Sequence, residues 1–189
     1  MMIMPLSGND IGFGAKSWKR LEAAVAHKSQ VEVDADDAYW GALFELPVVS
    51  MEVSKVETEV YDEDRNNWTE YFATVKVMLS GNVPMPVGVD SADVLPARIS
   101  EDFAQAYNDN DACNKALSEA QSELPGEKLD AEDGATVEVK SLIVNPDGTA
   151  KVVIELSVRI KSGESAADAK GRADDERGET LGQLERDMS

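Results

Sequence analysis

Two glycines and a lysine stand close together in residues 12–16, ahead of a predicted helix. This combination binds phosphate in nucleotide-binding loops, where backbone N–H groups and the lysine amine contact one phosphate. In those loops the lysine directly follows a glycine and a buried strand comes before, whereas here Ala15 separates Gly14 from Lys16, and residues 1–7 have no strand pattern. We therefore interpret the segment as a hinge between an N-terminal arm and a helix.

Residues 62–67 carry side-chain oxygens at alternate positions, as the first half of a calcium-binding loop does. The sixth position of such a loop is glycine and the twelfth is a bidentate glutamate, but the corresponding residues here are Asn67 and Ala73. A second cluster, residues 108–111, lies within a predicted helix and also lacks the glycine. The pattern favours a solvated turn at residues 62–67, and loose cation binding there is the alternative left open.

The single cysteine, Cys113, and the single histidine, His27, are the candidates for a nucleophile with its base. Cys113 lies on the apolar side of a predicted helix, His27 lies on a basic helix, and no pattern brings them together. The G-x-S-x-G turn of serine hydrolases does not occur in the sequence. We therefore predict a non-enzymatic protein without catalytic, cofactor-binding or metal-binding residues, in which Cys113 is a small core side chain.

The net charge restricts the classes of partner. The 189 residues include 37 acids and 18 bases, so the formal charge is −19, which repels nucleic acid and anionic lipid. The 42% of hydrophobic residues suffices for a folded core. Residues 1–6 lack the basic segment of a signal peptide, and no apolar run approaches the roughly 20 residues of a membrane span. The expected location is the cytoplasm or an assembled particle.

Charge and apolar periodicity mark both ends of the chain. Residues 15–30 carry four bases and one acid, a local charge of +3, and a short amphipathic helix is predicted over residues 15–29. Residues 162–189 hold eight acids and four bases, and three apolar residues recur there at helical spacing. The candidate interaction residues lie on these two segments: Lys16, Trp18, Lys19, Arg20, Lys28, Leu181, Leu184 and Met188.

Two β-hairpins are predicted from alternating apolar residues. Residues 48–61 and 68–81 form the first, and its alternation changes phase, so we predict a β-bulge near Ser54 and Lys55. Residues 136–144 and 150–160 form the second. They flank the turn Asn145–Pro146–Asp147–Gly148, in which proline presets φ and glycine supplies a positive φ.

A long helix is predicted over about residues 100–124. Ser100 would cap its start, Glu101 and Asp102 suit the positive end of the helix dipole, and Pro125 follows its end. Upstream, three apolar residues are spaced as one helical face before Pro47: Tyr39, Leu43 and Leu46.

Together these elements predict an α+β fold, in which two antiparallel hairpins form one sheet packed by the long helix. We predict three parts along the chain. An N-terminal arm with a short basic helix covers residues 1–30, the α+β body covers residues 31–161, and a flexible acidic tail with a short docking helix covers residues 162–189.

The lack of catalytic motifs and the unusual ends favour a protein–protein interaction protein or structural subunit of a larger assembly. A bacteriophage or other viral particle is the suggested class of assembly. We expect protein partners, including further copies of the chain, and neither a small-molecule substrate nor a membrane.

Two alternatives stay open. The first is an acidic inhibitor that mimics nucleic acid and occupies a cationic groove. The second is a single-strand nucleic-acid-binding module with stacking residues Trp68, Tyr71 and Phe72, although strand alternation puts Tyr71 on the opposite side from the other two. The acids that the first alternative would use are Glu52, Glu57, Glu59, Asp109, Asp111, Glu119 and Glu123.

Overall fold

The computed structural model describes residues 15–63, 66–89, 91–130 and 134–188, with the backbone alone for residues 15–25 and 27–29. Within these ranges the protein is α+β, with four helices and one antiparallel six-stranded open sheet. In chain order the elements are α1 (Ala15–Phe44), β1 (Val48–Val53), β2 (Glu57–Glu63), β3 (Asn66–Pro84), α2 (Leu95–Ala106), α3 (Asp111–Ser122), β4 (Glu127–Leu129), β5 (Thr136–Val144), β6 (Thr149–Gly163) and α4 (Ala166–Asp187).

The two long strands β3 and β6 form the centre of the sheet, pairing from Glu70 opposite Gly163 to Pro84 opposite Thr149. Strands β1 and β2 both pair with β3 at one edge, and β5 and β4 both pair with β6 at the other. The two predicted hairpins are therefore confirmed, and they join through β3 and β6 into one sheet. In the second hairpin Gly148 has a φ of 83°, as the predicted turn requires.

The predicted β-bulge separates β1 from β2. Strand β1 pairs with β3 as far as Val53, β2 resumes at Glu57, and β3 has one residue fewer between the two pairs. At the bulge the Ser54 N–H donates to the Thr74 carbonyl oxygen, and the Thr74 N–H donates to Ser54 Oγ, each at 2.9 Å. The serine side chain thus replaces the backbone acceptor that the extra residue displaces.

Helices α2 and α3 and the C-terminal end of α1 pack on one face of the sheet, because the alternate residues of β3 and β6 on that face are apolar. The largest fully buried side chains come from all of these elements: Tyr39, Leu43, Leu46, Val75, Val77, Leu79, Val83, Leu95, Ile99, Phe103, Ile154 and Leu156. The buried side chains of Tyr39 and Leu43 confirm the helical face predicted before Pro47, whereas Leu46 is buried but lies just past the end of α1.

The single helix predicted over residues 100–124 is wrong, since the structure has two helices there. Helix α2 begins at Leu95, so Ser100 lies inside it rather than at its cap. A short 3-10 turn (Tyr107–Asp109) follows, and Asn110 leaves the helical conformation with φ −91° and ψ 108°. The buried Asn110 side chain then caps α3, because its oxygen accepts from the Cys113 N–H at 2.9 Å.

Both terminal helices are longer than predicted. Helix α1 continues without interruption from residue 15 across residue 30 to Phe44, rather than ending near residue 29. Strand β6 extends to Gly163, and α4 begins at Ala166, where a flexible linker was expected before a short helix. The basic N-terminal segment and the acidic tail are therefore each part of a long helix that is continuous with the body.

Candidate functional site: the two terminal helices

The C-terminal end of α1 is held by a buried polar cluster. The Tyr39 hydroxyl donates to Asp102 Oδ2 at 2.8 Å, and Arg98 Nε donates to the same oxygen at 2.6 Å. Burial raises the pKa of Tyr39, and the hydrogen bond to Asp102 raises it further. Within α2, Arg98 balances the charge of the buried Asp102 carboxylate, and the hydrogen bond from Tyr39 to this paired carboxylate joins α1 to α2.

A second attachment closes the last turn of α1. The Asn110 side-chain amide donates to the carbonyl oxygens of Leu43 and Leu46, at 3.0 Å each. These carbonyls belong to a helix end, where intrahelical donors have run out. Leu46 also packs against Gly81 of β3, where an added Cβ would stand 2.8 Å from Leu46 Cδ2. The glycine therefore allows α1 to meet the sheet closely.

The described side chains of α1 before Ala35, those of Ala26 and residues 30–34, lie outside the core. All of them are exposed, and they include Val31 and Val33, which are 52% and 53% exposed. Five of the candidate residues lie on this part of the helix: Lys16, Trp18, Lys19, Arg20 and Lys28. The structure describes their backbone but not their side chains. The structure therefore places the basic candidates on one helix that extends past the core.

Helix α4 starts from a close crossing of two glycines. Gly163 has a φ of 126°, and a Cβ there would overlap the Thr69 carbonyl oxygen. A Cβ on Gly126 would stand 2.6 Å from the Gly163 Cα. The chain then turns into the helix, with the Glu164 N–H donating to the Thr69 carbonyl oxygen at 3.2 Å and Ser165 capping the first turn.

Arg172 attaches the second turn of α4 to the body. Its Nη2 donates to the carbonyl oxygen of Asn67 at 2.8 Å, and its guanidinium forms a two-point ion pair with Glu164, at 3.1 and 3.2 Å. Two-point arginine–carboxylate contacts hold orientation better than single ones. The start of α4 is therefore oriented by the first residues of β3.

Beyond this point the side chains of α4 are mostly exposed. Among the residues of α4, all of which are described, Ala169 is buried, and Ala173 and Gly182 are half-buried. The candidate apolar residues are exposed, Leu181 by 63%, Leu184 by 53% and Met188 by 84%. Their spacing places them on one face of the helix.

The two helices that carry the candidate residues dock at different places on the sheet. Helix α1 meets β3 near Gly81, whereas α4 meets it near Asn67 and Thr69. The 12 residue steps from Thr69 to Gly81 span about 40 Å of extended strand. The protein thus presents two separate helical surfaces at opposite ends of β3.

The aromatic residues of the first hairpin are covered. Trp68 and Phe72 point to the face of the sheet opposite α2 and α3, and both are buried. The Tyr61 ring stacks on Trp68 at 5.3 Å, and the Arg159 guanidinium lies 4.2 Å from the centre of the Phe72 ring. These partners occupy the ring faces that a nucleic-acid base would need. Tyr71 points to the other side, as strand alternation predicts.

The acids suited to nucleic-acid mimicry are divided between two surfaces. Three of them lie on β1 and β2: Glu52, Glu57 and Glu59. The strand register puts their side chains on the same side as Phe72, the face of the sheet that α2 and α3 do not cover, which we call the open face. The others lie on or beside α2 and α3, which cover the opposite face: Asp109, Asp111, Glu119 and Glu123. On the open face bases alternate with acids, and Lys161 Nζ lies 2.7 Å from Glu70.

An open cleft of about 590 Å³, which the sequence did not indicate, lies beside the start of α4. Trp68 and Tyr71 line it together with one acid from β4, one from the link between β6 and α4 and one from α4: Glu127, Glu164 and Asp168. Among the described residues no group of three His, Cys, Asp or Glu side chains is arranged to hold a metal ion. The cleft follows from the docking of α4, so sequence patterns alone contain no sign of it.

The remaining chemical candidates are distributed as follows. Cys113 is fully buried, and burial raises the pKa of its thiol to about 11. The His27 side chain, residues 12–14 of the phosphate-loop-like segment, and Asp64 of the calcium-loop-like segment lie outside the described residues. In the described part of the chain no helix is long and apolar enough to cross a membrane. No protein-family model matches the chain, and neither curated proteins nor solved structures give a significant match.

Proposed function

We propose that this chain is a non-enzymatic interaction subunit that joins a larger assembly through its two terminal helices. The observation that carries the proposal is that α1 and α4 are each docked at one end and continue outward with exposed apolar residues. Helices at the surface of a finished monomer normally bury an apolar stripe along their length. In α1 and α4 apolar side chains remain exposed, and we expect a partner to cover them, either another copy of the chain or another protein.

The low stability expected for the exposed part of α4 on its own supports the proposed interaction function. Past Ala173 the helix has no buried residue, and it contains Gly178 and Gly182, where an added Cβ would contact nothing within 4 Å. A glycine inside a helix costs about 1 kcal/mol relative to alanine. Isolated helices of roughly 12–15 residues are marginal in water. A partner that packs on the face of Leu181 and Leu184 would supply the missing stabilisation.

The charge distribution favours assembly over nucleic-acid mimicry. A mimic needs its carboxylates on one surface at phosphate-like spacing. Here Glu52 and Glu59 lie on the open sheet face near bases, while Asp111 and Glu119 lie on the helical layer behind the opposite face. A bacteriophage or other viral particle stays a prediction about the kind of assembly.

Light scattering coupled to size-exclusion chromatography tests the proposal on the full chain, with and without a lysate of the native source. The test variant is Leu181→Gln/Leu184→Gln, and the matched control is Glu179→Gln/Arg186→Gln, which changes two exposed residues of the same helix without changing net charge. We expect the test variant to reduce association or partner capture, and the control to behave as wild type. A salt-insensitive monomer that captures nothing, in wild type and variants alike, would overturn the proposal.

A further inference from the structure

Helix α1 carries opposite charges in its two halves. Residues 15–30 have four bases and one acid, a charge of +3, and residues 31–44 have four acids and no base, a charge of −4. Because α1 is one uninterrupted helix from Ala15 to Phe44, these halves are collinear and about equal in length. At 1.5 Å per residue the helix is roughly 45 Å long.

The side chains in the middle of α1 are exposed to solvent. Residues 30–34 are exposed, Ala35 and Asp36 are half-buried, and Tyr39 and Leu43 are the buried side chains in the described part of α1. Val31 and Val33, near the midpoint, are about half exposed and lie on opposite sides of the helix, since two residues turn the helix by roughly 200°. A second helix laid along either side would therefore cover one of these valines.

We propose that α1 pairs with α1 of a second copy of this chain, antiparallel, with the basic half of each helix against the acidic half of the other. This inference rests on the proposed interaction function and names one partner for it. A two-fold symmetric pair satisfies both halves with a single surface. A parallel pair would instead set +3 against +3 and −4 against −4, which is unfavourable.

Helix α4 is a poorer partner for α1. It carries seven acids and four bases, a charge of −3, so it complements the basic half of α1 and repels the acidic half. Within one chain α4 also starts at the opposite end of β3 from α1. Among the helices that the structure describes, only another α1 has a basic half followed by an acidic half. In the antiparallel pair the two bodies lie at opposite ends of the paired helices.

Charge exchange on the full chain tests the pairing. Lys16→Glu/Lys19→Glu/Arg20→Glu changes the basic half of α1 from +3 to −3, so both halves become acidic, and Glu32→Lys/Asp34→Lys/Asp37→Lys changes the acidic half from −4 to +2, so both halves become basic. We expect each variant alone to raise the dimer dissociation constant, measured by analytical ultracentrifugation at low salt, by at least about tenfold. An equimolar mixture of the two variants, and the chain that carries all six changes, should regain association because opposite charges again face each other.

The matched control is Glu101→Lys/Glu119→Lys/Glu123→Lys, which makes the same change in net charge as the Glu32→Lys/Asp34→Lys/Asp37→Lys variant at exposed positions outside α1 and should leave the dissociation constant within about threefold of wild type. Circular dichroism of each variant establishes that its helix content is retained. Recovery in the mixture cannot come from a misfolded variant, so the test does not depend on stability alone.

Disulfide crosslinking tests the direction, with buried Cys113 left in place. Gln30→Cys, near the midpoint, should crosslink to itself between two copies. Ala23→Cys should not, but it should crosslink to Asp37→Cys on a second copy, because residues 23 and 37 lie seven residues either side of Gln30 on the same helical face. Self-crosslinking at both Ala23→Cys and Gln30→Cys would mean parallel pairing and would overturn the proposal.

The remaining outcomes separate this inference from the proposed function. If the wild-type chain is monomeric at all concentrations, or if its dimer is unchanged by either charge-exchanged variant, the α1 pairing is wrong. If association then depends on Leu181 and Leu184 instead, the interaction function stands while the pairing of α1 does not.

Discussion

The side-chain amide of Asn110 donates a hydrogen bond of 3.0 Å to the carbonyl oxygen of Leu43, 67 residues earlier in the chain. The same amide donates to Leu46, and the side-chain oxygen accepts from Cys113. One buried residue thus closes the end of α1 and starts α3. The direction in which α1 leaves the body depends on this junction.

We expect Asn110→Ala to destabilise the protein by about 3 kcal/mol, because the cap of α3 and the donors to two buried carbonyls are lost together. Urea denaturation followed by tryptophan fluorescence measures the change. Asn108→Ala, at an exposed position of the same turn, is the control and should shift the unfolding free energy by less than about 0.5 kcal/mol. Equal effects of the two substitutions would contradict the role given to Asn110.

Alkaline pH should weaken the folded state through Tyr39. The folded-state pKa of Tyr39 is raised by burial, whereas an unfolded tyrosine ionises near pH 10. The stabilisation is therefore complete below about pH 10 and is lost as the pH rises toward the folded-state value, because the unfolded chain releases the proton first. We expect Tyr39→Phe to lose about 1–2 kcal/mol at pH 7 and to show a shallower decline above pH 10. Unfolding free energies measured from pH 7 to 11 give the comparison.

Tyr107→Phe is the control for this series, since it leaves the bond between Tyr39 and Asp102 in place. It should keep the alkaline decline of the wild-type chain. Identical declines in all three proteins would show that another group is responsible for the loss of stability.

Gly163, which precedes α4, and Gly178, which lies inside α4, should respond in opposite ways to substitution by alanine. Gly163→Ala forces a Cβ onto the Thr69 carbonyl oxygen at a φ of 126°, and we expect a loss of more than about 3 kcal/mol. Gly178→Ala meets nothing within 4 Å and should stabilise α4 locally by about 1 kcal/mol. Urea denaturation reports the first effect, and amide hydrogen exchange of α4 reports the second. Loss of protection in Gly178→Ala would contradict the exposed position of that glycine.

The thiol of Cys113 should be unreactive in the folded protein. Burial excludes reagent and raises the pKa to about 11, so little thiolate forms at pH 8. We expect Ellman's reagent to label Cys113 at pH 8 only as urea unfolds the chain, with the labelling midpoint at the unfolding midpoint. Rapid labelling without urea would place Cys113 outside the core.

Local patterns sufficed for the strands. The alternation in β3 and β6 and the turn ending at Gly148 involve neighbouring residues, and the phase change at Ser54 was enough to predict the bulge. The break at Asn110 was missed because helical spacing continues through Ala106, Asn110 and Cys113. Asn110 also donates hydrogen bonds to the carbonyl oxygens of Leu43 and Leu46, which lie 67 and 64 residues earlier in the chain. These distant contacts favour a helix break and a cap at Asn110 over one continuous helix.

The candidate residues were chosen from charge and spacing, and whether they bind a partner stays a prediction. Helix α1 was expected to end near residue 29, because residues 30–37 are polar and lack an apolar period. A helix that projects into solvent does not need to bury apolar side chains, so its sequence can lack a helical apolar period although the helix continues. The cleft beside Trp68 and Asp168 joins residues a hundred positions apart and has no local signal.

By itself the sequence determined the α+β class, the two hairpins and the unequal charge of the ends, because these depend on residue types and short periods. The tertiary structure alone decided that α1 and α4 leave the body at opposite ends of β3. Gly81 and Asn110 hold one helix, and Gly163 and Arg172 hold the other, through contacts between elements distant in the chain. Such contacts depend on how the folded layers meet, and no local pattern encodes that geometry.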